Sequence, residues 1–115
     1  MAHKGRLTTV ELAKVFDEGQ ALNHRWFTLR VLYPPDPAPM IRWGIAVGKR
    51  LAGGSVERNR LRRRIAASTR MVDVEHPAWV VVQLRREGST IGPLQMAQAI
   101  RDRLQREFAR QCTGD

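Results

Sequence analysis

From Arg58 to Arg70 the chain carries six arginines and no acid within thirteen residues, and this stretch limits what the whole can become. At about 100° per residue, Leu61, Ile65, Ser68 and Val72 fall on one side of a helix, while Arg58, Asn59, Arg60, Arg62, Arg63, Arg64 and Arg70 cover most of the remainder. Such a helix can bury only a narrow stripe. It must therefore lie on the outside of a core that other segments build. Ser55 is the expected N-cap and the helix should run to about Val72. Arginines three and four apart repel each other by roughly 0.2–0.5 kcal/mol per pair. A face that merely meets water would intersperse acids, so the pattern points to a polyanion, RNA or DNA, on that face.

The excess charge is local. The whole chain has 20 basic and 11 acidic residues, for +9, but residues 42–70 alone hold nine basic residues against Glu57, for +8. With 115 residues there is room for one domain and one core. No apolar run approaches the ~20 residues of a membrane span, and Met1-Ala2-His3-Lys4-Gly5-Arg6 leads into no apolar segment of a secretory signal. The expectation is a cytoplasmic protein without a membrane partner. Cys112 is the only cysteine and reads as an unpaired thiol near a frayed end. Residues 1–6 and 111–115 are expected to be tails.

Thr8 and Glu11 have the form of a capping box, and Leu12, Val15 and Phe16 follow at helical spacing until Gly19, which predicts a helix over about 9–18. A short extended piece over 20–24 and a strand over Trp26–Tyr33 come next. Pro34, Pro35, Pro37 and Pro39 mark a loop. Ile41 to Gly48 alternates as a strand, with Ile41, Trp43, Ile45 and Val47 on one face and Arg42, Gly44, Ala46 and Gly48 on the other. That second face is nearly bare, which admits a close backbone, a helix or a nucleic acid strand. Trp79–Leu84 reads as a buried central strand, and Met96, Ala97, Ile100, Leu104 and Phe108 outline a last amphipathic helix. The order of elements predicts an α/β sandwich with helices packed on a small sheet. The general rule makes the strand-helix-strand unit over 41–84 right-handed.

Gly44-Ile45-Ala46-Val47-Gly48-Lys49-Arg50, a Gly-Gly turn, and Val56-Glu57-Arg58-Asn59-Arg60-Leu61-Arg62-Arg63 together resemble the signature of the bacterial ribonuclease P protein component. The likeness extends to Leu7-Thr8, Val15-Phe16 with Gly19, Arg25-x-Phe27, the strand ending near Arg85 and the last helix. It implies a two-layer α/β sandwich with a small, mostly antiparallel sheet, three helices and a left-handed crossover, against the general rule. It also implies a protein that binds the catalytic RNA of ribonuclease P and the 5′ leader of precursor tRNA. The chemistry then belongs to the RNA and its magnesium ions, with no cofactor held by the protein and no protein partner. By matching position, Lys49, Arg50, Arg58, Asn59, Arg60, Arg62, Arg63 and Arg70 would meet the catalytic RNA. A cleft between the first helix and the sheet would take the leader at Leu12, Phe16 and Arg30. Three positions depart from the family pattern: Ala66-Ala67 stands where Arg-Glu is usual, and Leu12 and Arg30 where aromatics are common. Strand alternation puts Trp26 on the face of Thr28 and Arg30, where it would restore aromatic surface; core packing is the other reading of Trp26.

Other functions fit less well. A protein nuclease would need a gathered catalytic set, yet His3, His24 and His76 are far apart and no carboxylate pair has metal-site spacing. Gly44-x-x-x-Gly48-Lys49 is one residue too short for a phosphate loop and lies within a strand. A structural ribosomal protein or another basic RNA-binding protein remains the alternative, and a DNA-binding module would need a dimer or a second reading element.

Overall fold

The protein is described by a computed structural model over residues 5–34, 40–74 and 76–113. Its elements are β1 (Gly5–Arg6), α1 (Thr9–Glu18), β2 (Gln20–Asn23), β3 (Phe27–Leu32), β4 (Ile41–Ala46), α2 (Ser55–Met71), β5 (Ala78–Leu84) and α3 (Pro93–Thr113). The strands form one sheet in the order β1-β4-β5-β3-β2. The apolar run of β5 takes the centre, and Val80, Val81 and Val82 have no exposed surface. Antiparallel pairs join β2 to β3 and β3 to β5, while β4 runs parallel to both β1 and β5. The sheet is thus mixed where mostly antiparallel pairing was expected. The reason is α2, which carries the chain back to the starting end between β4 and β5, and a helical crossover makes its two strands parallel.

Helices cover both faces of the sheet, so there are three layers rather than two. Alternation along β5 explains this. Ala78, Val80, Val82 and Leu84 join Phe27, Leu29, Val31, Ile41 and Trp43 in the main core, beneath Leu61, Ile65 and Val72 of α2 and Met96, Ile100, Leu104 and Phe108 of α3. Trp79 and Val81 point the other way and meet Leu7, Leu12, Val15 and Phe16 in a smaller core under α1. Within α3 one buried residue breaks the apolar pattern: Glu107 is 1% exposed and accepts hydrogen bonds from the Tyr33 hydroxyl and Gln111 Nε2.

The local signals in α1 act as read. Glu11 N–H donates to Thr8 Oγ1 at 3.2 Å, Thr8 N–H donates to Glu11 Oε1 at 2.9 Å, and Gly19 N–H closes the end on the Val15 carbonyl. The start of α2 differs. Gly54 occupies the N-cap and Ser55 is already helical, because Arg58 N–H bonds the Gly54 carbonyl one residue earlier than expected. At the chain ends, Gly5–Arg6 belong to the sheet rather than to a tail, being paired with Arg42 and Trp43. Arg42 Nη2 also donates to the Arg6 carbonyl at 2.6 Å. Helix α3 likewise continues past residue 111, where Gln111 holds Glu107 one turn back. Pro35, Pro37, Pro39 and the Cys112 side chain lie outside the described residues.

The bare face of β4 belongs to the protein itself. A Cβ on Gly44 would stand 2.9 Å from Leu12 Cδ1, 3.2 Å from Val81 Cγ2 and 3.3 Å from Leu7 Cδ1, so the missing side chain lets α1 seat on the sheet. Trp26 is a correction. It precedes β3 instead of opening it, escapes the strand alternation, and packs against the main core on the face away from α1. There the His24 ring stacks on Phe27 at 4.4 Å and meets Trp26 edge-on at 5.2 Å, while Nδ1 accepts the Trp26 N–H at 3.0 Å.

That acceptor role requires His24 to be uncharged, and burial, helped by Arg25, Arg103 and Arg106, pushes its pKa below the ordinary 6.5. A histidine depressed in the folded state binds fewer protons folded than unfolded. Its stabilisation is therefore present above pH 6.5 and is lost as pH falls through 6.5 toward the folded value. Urea midpoints measured from about pH 7.5 down to 5.5 should fall in the wild type and fall less in His24→Gln.

Candidate nucleic-acid interface

Helix α2 sits on the main core by Leu61 and Ile65, 4% and 1% exposed, with Ser68 Oγ donating to the Pro93 carbonyl of α3. This seat turns Asn59, Arg60, Arg62, Arg63 and Arg70 to solvent. Not every arginine of the helix is used alike. Arg58 folds back and donates from Nη1 to the carbonyls of Ala52 and Gly53 at 3.1 and 3.2 Å, which fastens the loop before the helix. Arg64 donates to the Ser89 carbonyl at 2.6 Å and ties α2 to the approach of α3. Arg60 lies 3.8 Å from Glu57 with both side chains more than half exposed, a weak surface pair. Arg62 Nη1 donates to Asn59 Oδ1 at 3.2 Å, so the two residues of the Arg-Asn-Arg region hold each other on the open face.

Two concavities carry this basic surface beyond the helix. Lys49 and Arg50, exposed in the turn after β4, share one with Arg62, Ala46 and Gln83. Asn59, Arg62, Arg63 and Arg70 share the other with Arg6 of β1, over Ala66. Arg62 thus stands at the junction. A run of one sign of charge in concave surface focuses the field and attracts polyanions.

A second group of residues gathers on the α1 face of the sheet. Arg30 Nε donates to Gln83 Oε1 at 3.1 Å, and its guanidinium lies 5.1 Å from the centre of the Phe16 ring. Phe16, Arg30 and Gln83 therefore come together on the α1 face of the sheet, linked through Arg30 by a hydrogen bond and a cation–π contact. Leu12 is elsewhere on the same face, against Gly44 and beside the Arg6 concavity, and Trp26 is on the opposite face. Sequence reasoning passed over Arg42. Its Nη1 bonds Glu11 Oε2 at 2.7 Å and its guanidinium lies over the Trp79 ring at 5.8 Å. The Arg42 hydrogen bond, with the Thr8 N–H, holds the Glu11 carboxyl below the usual carboxylate range. An alternating arginine on a strand beside a capping-box glutamate was the only available signal. Among the described residues no three of His, Cys, Asp and Glu gather as a metal site, and no helix is long and apolar enough to cross a membrane.

Known proteins are similar to this chain in sequence and in fold. The family model for ribonuclease P matches residues 1–108. A ribonuclease P protein component of Lactobacillus gasseri is 41% identical over 61 residues, which is 53% of this chain and 49% of that protein. One from Herpetosiphon aurantiacus is 37% identical over 79 residues, 68% of this chain and 62% of the other. The chain spans about half to three-fifths of the length of these relatives. In fold it is similar to the RNase P protein of Thermotoga maritima, with a TM-score of 0.66, 22% identity, and coverage of 91% of this chain and 96% of that one. The Staphylococcus aureus RNase P protein gives 0.66 at 20% identity over 87% and 92%. With a family match over nearly its whole length and the same fold beneath the arginine helix, the chain belongs to the ribonuclease P protein family.

Proposed function

We propose that the chain is the protein subunit of bacterial ribonuclease P, working in the cytoplasm. It binds the catalytic RNA and the 5′ leader of precursor tRNA and promotes hydrolytic removal of the leader by an RNA-based endonuclease. The observation that carries this reading is the solvent face of α2. There Arg60, Arg62 and Arg63 project from a helix whose apolar stripe is already spent on the core. Guanidinium forks match phosphate oxygens in pairs, and Lys49 and Arg50 extend the same surface. The phosphodiester chemistry is assigned to the RNA and its magnesium ions. The protein's part is to raise the local affinity for two RNA strands and to position one against the other.

The leader is assigned to the cluster of Phe16, Arg30 and Gln83. A base can stack on the outer plane of the Arg30 guanidinium, itself resting on Phe16, and base stacking on such platforms is worth ~1–3 kcal/mol. Phe16→Ala removes the support for Arg30. It should weaken binding of precursor tRNA relative to leaderless tRNA by about 5- to 100-fold while leaving affinity for the catalytic RNA unchanged. Equal losses with and without a leader would place Phe16 outside leader recognition.

The decisive assay mixes purified protein with a bacterial ribonuclease P RNA and a precursor tRNA at low magnesium. Cleavage at the 5′ end should be stimulated by the protein, and the protein alone should cleave nothing. Cleavage by protein alone, or no stimulation, overturns the proposal.

A further inference from the structure

The topology brings three connections to one end of the sheet. Ala46 pairs with Gln83, Gln83 with Thr28 and Thr28 with Asn23, so parallel β4 and β5 finish beside the turn that joins antiparallel β2 and β3. The connections over 47–54, 85–92 and 24–26 therefore spring from neighbouring strands about 5 Å apart. Together they carry Lys49, Arg50, Arg85, Arg86 and Arg25, all exposed. Outside residues 42–70 the chain holds 11 basic and 10 acidic residues, yet Glu87 is the one acid in these three connections.

The backbone beneath these charges is fastened. His24 N–H donates to the Phe27 carbonyl at 2.9 Å and closes the turn that holds Arg25, while Arg85 N–H donates to the Trp26 carbonyl at 3.0 Å and ties the exit of β5 to that turn. Gly88 seats at the same place, since a Cβ on it would run into the Trp26 carbonyl. The next residue, Ser89, receives Arg64 of α2 on its carbonyl. The five basic side chains are the opposite case. Among the described residues none of them makes an ion pair or a side-chain hydrogen bond, and Glu87 pairs with none of them. Arg25 adds to a positive field, because its charge acts on the His24 ring together with those of Arg103 and Arg106 on α3.

This end of the sheet is continuous with the basic surface of α2. The hollow that Lys49 and Arg50 share with Arg62 is walled by Gln83 and Leu84, and Arg85 is the next residue along. We infer that the RNA-binding surface runs from α2 through Lys49 and Arg50 and across the end of the sheet to Arg85, Arg86 and Arg25, with the sugar-phosphate backbone of the catalytic RNA lying along it. The inference rests on the reading of α2 as an RNA-binding face and adds to it three arginines from two connections outside the arginine helix. Unpartnered guanidinium groups on adjacent strands match phosphates repeated along a backbone, whereas one small anion would engage only one of them. The catalytic RNA is favoured over the leader because the bond from Arg64 to Ser89 joins the Arg85–Ser89 segment to α2, so an RNA docked on one meets the other.

The test is the salt dependence of binding of the full chain to ribonuclease P RNA, measured over a potassium chloride series for wild type, Arg25→Gln, the double variant Arg85→Gln/Arg86→Gln, and Arg62→Gln. Lys14→Gln, an exposed position on α1 across the sheet from α2, serves as a control for loss of one charge. Arg25→Gln should lower the slope of log affinity against log salt by about 0.7–0.9, and the double variant by about 1.4–1.8, each with several-fold weaker binding at low salt. Melting temperatures should stay at the wild-type value, and Lys14→Gln should leave the slope unchanged. A slope lowered by Arg62→Gln but by neither the Arg25 nor the Arg85/Arg86 variant overturns the extended surface and leaves the α2 reading intact. No change in any of the three overturns both. An equal loss in Lys14→Gln assigns the effect to net charge and overturns the extended surface. In a second arm the assembled holoenzyme binds precursor tRNA with and without its leader. A loss confined to the leader-bearing substrate, with the catalytic-RNA slope unmoved, assigns these arginines to the leader and also overturns the inference.

Discussion

Replacing Arg60, Arg62 and Arg63 together by alanine is expected to lower the salt slope of binding to ribonuclease P RNA by about two to three, since each phosphate engaged contributes roughly 0.7–0.9. At low salt the affinity should fall by about a hundredfold or more, because three charge-assisted contacts at ~1.5–3 kcal/mol each are removed. The fold should not suffer. None of the three side chains enters the core, which α2 meets through Leu61 and Ile65. Alanine is the best helix former, and the variant loses repulsion between neighbouring arginines, so its melting temperature should equal or exceed that of the wild type. Filter binding over a salt series, paired with thermal melting, checks both halves. A variant that melts early while keeping its affinity would mean that the arginines serve the fold and not the RNA.

Phe27→Ala should do the reverse. The ring has no exposed surface, lies on β3 beside the central strand, and carries the stacked His24. Truncating such a residue costs ~3–5 kcal/mol, out of a total of ~5–15 kcal/mol for a domain of this kind. Urea denaturation should show a midpoint shifted far down or no folded baseline at all. Binding of RNA by whatever fraction stays folded should keep the wild-type salt slope. The contrast with Phe16 is instructive. Both phenylalanines face a sheet, but Phe27 is enclosed between sheet and helices while Phe16 lies at the rim of the smaller core under an arginine.

Signals that act within a few residues were legible in the chain. The Thr8–Glu11 capping box set the start of α1, the apolar run of β5 marked the central strand, and the Leu61–Ile65–Ser68 stripe oriented α2. Features that depend on a partner far along the chain were not. Gly5–Arg6 is too short to show a period and becomes a strand only because β4 offers an edge. Trp26 alternates correctly with Thr28 and Arg30 on paper, but the chain bends before β3 begins, so the alternation does not reach it. The count of layers also depended on tertiary packing, because β5 is apolar on both faces and the chain does not say which helix covers which.

The sequence by itself determined that the arginines of α2 point away from the core and that the chain carries the marks of its family. Helical periodicity fixes direction around an axis without reference to anything else. Only the tertiary structure decided how each arginine is employed. Arg58 and Arg64 are drawn to the carbonyls of Ala52, Gly53 and Ser89, Arg42 to Glu11, and Arg30 to Phe16 and Gln83, while Arg6 is carried across to face Arg62. A guanidinium's partners are set by which acceptors and rings packing brings within about 3–6 Å, and that distance is a property of the folded chain alone.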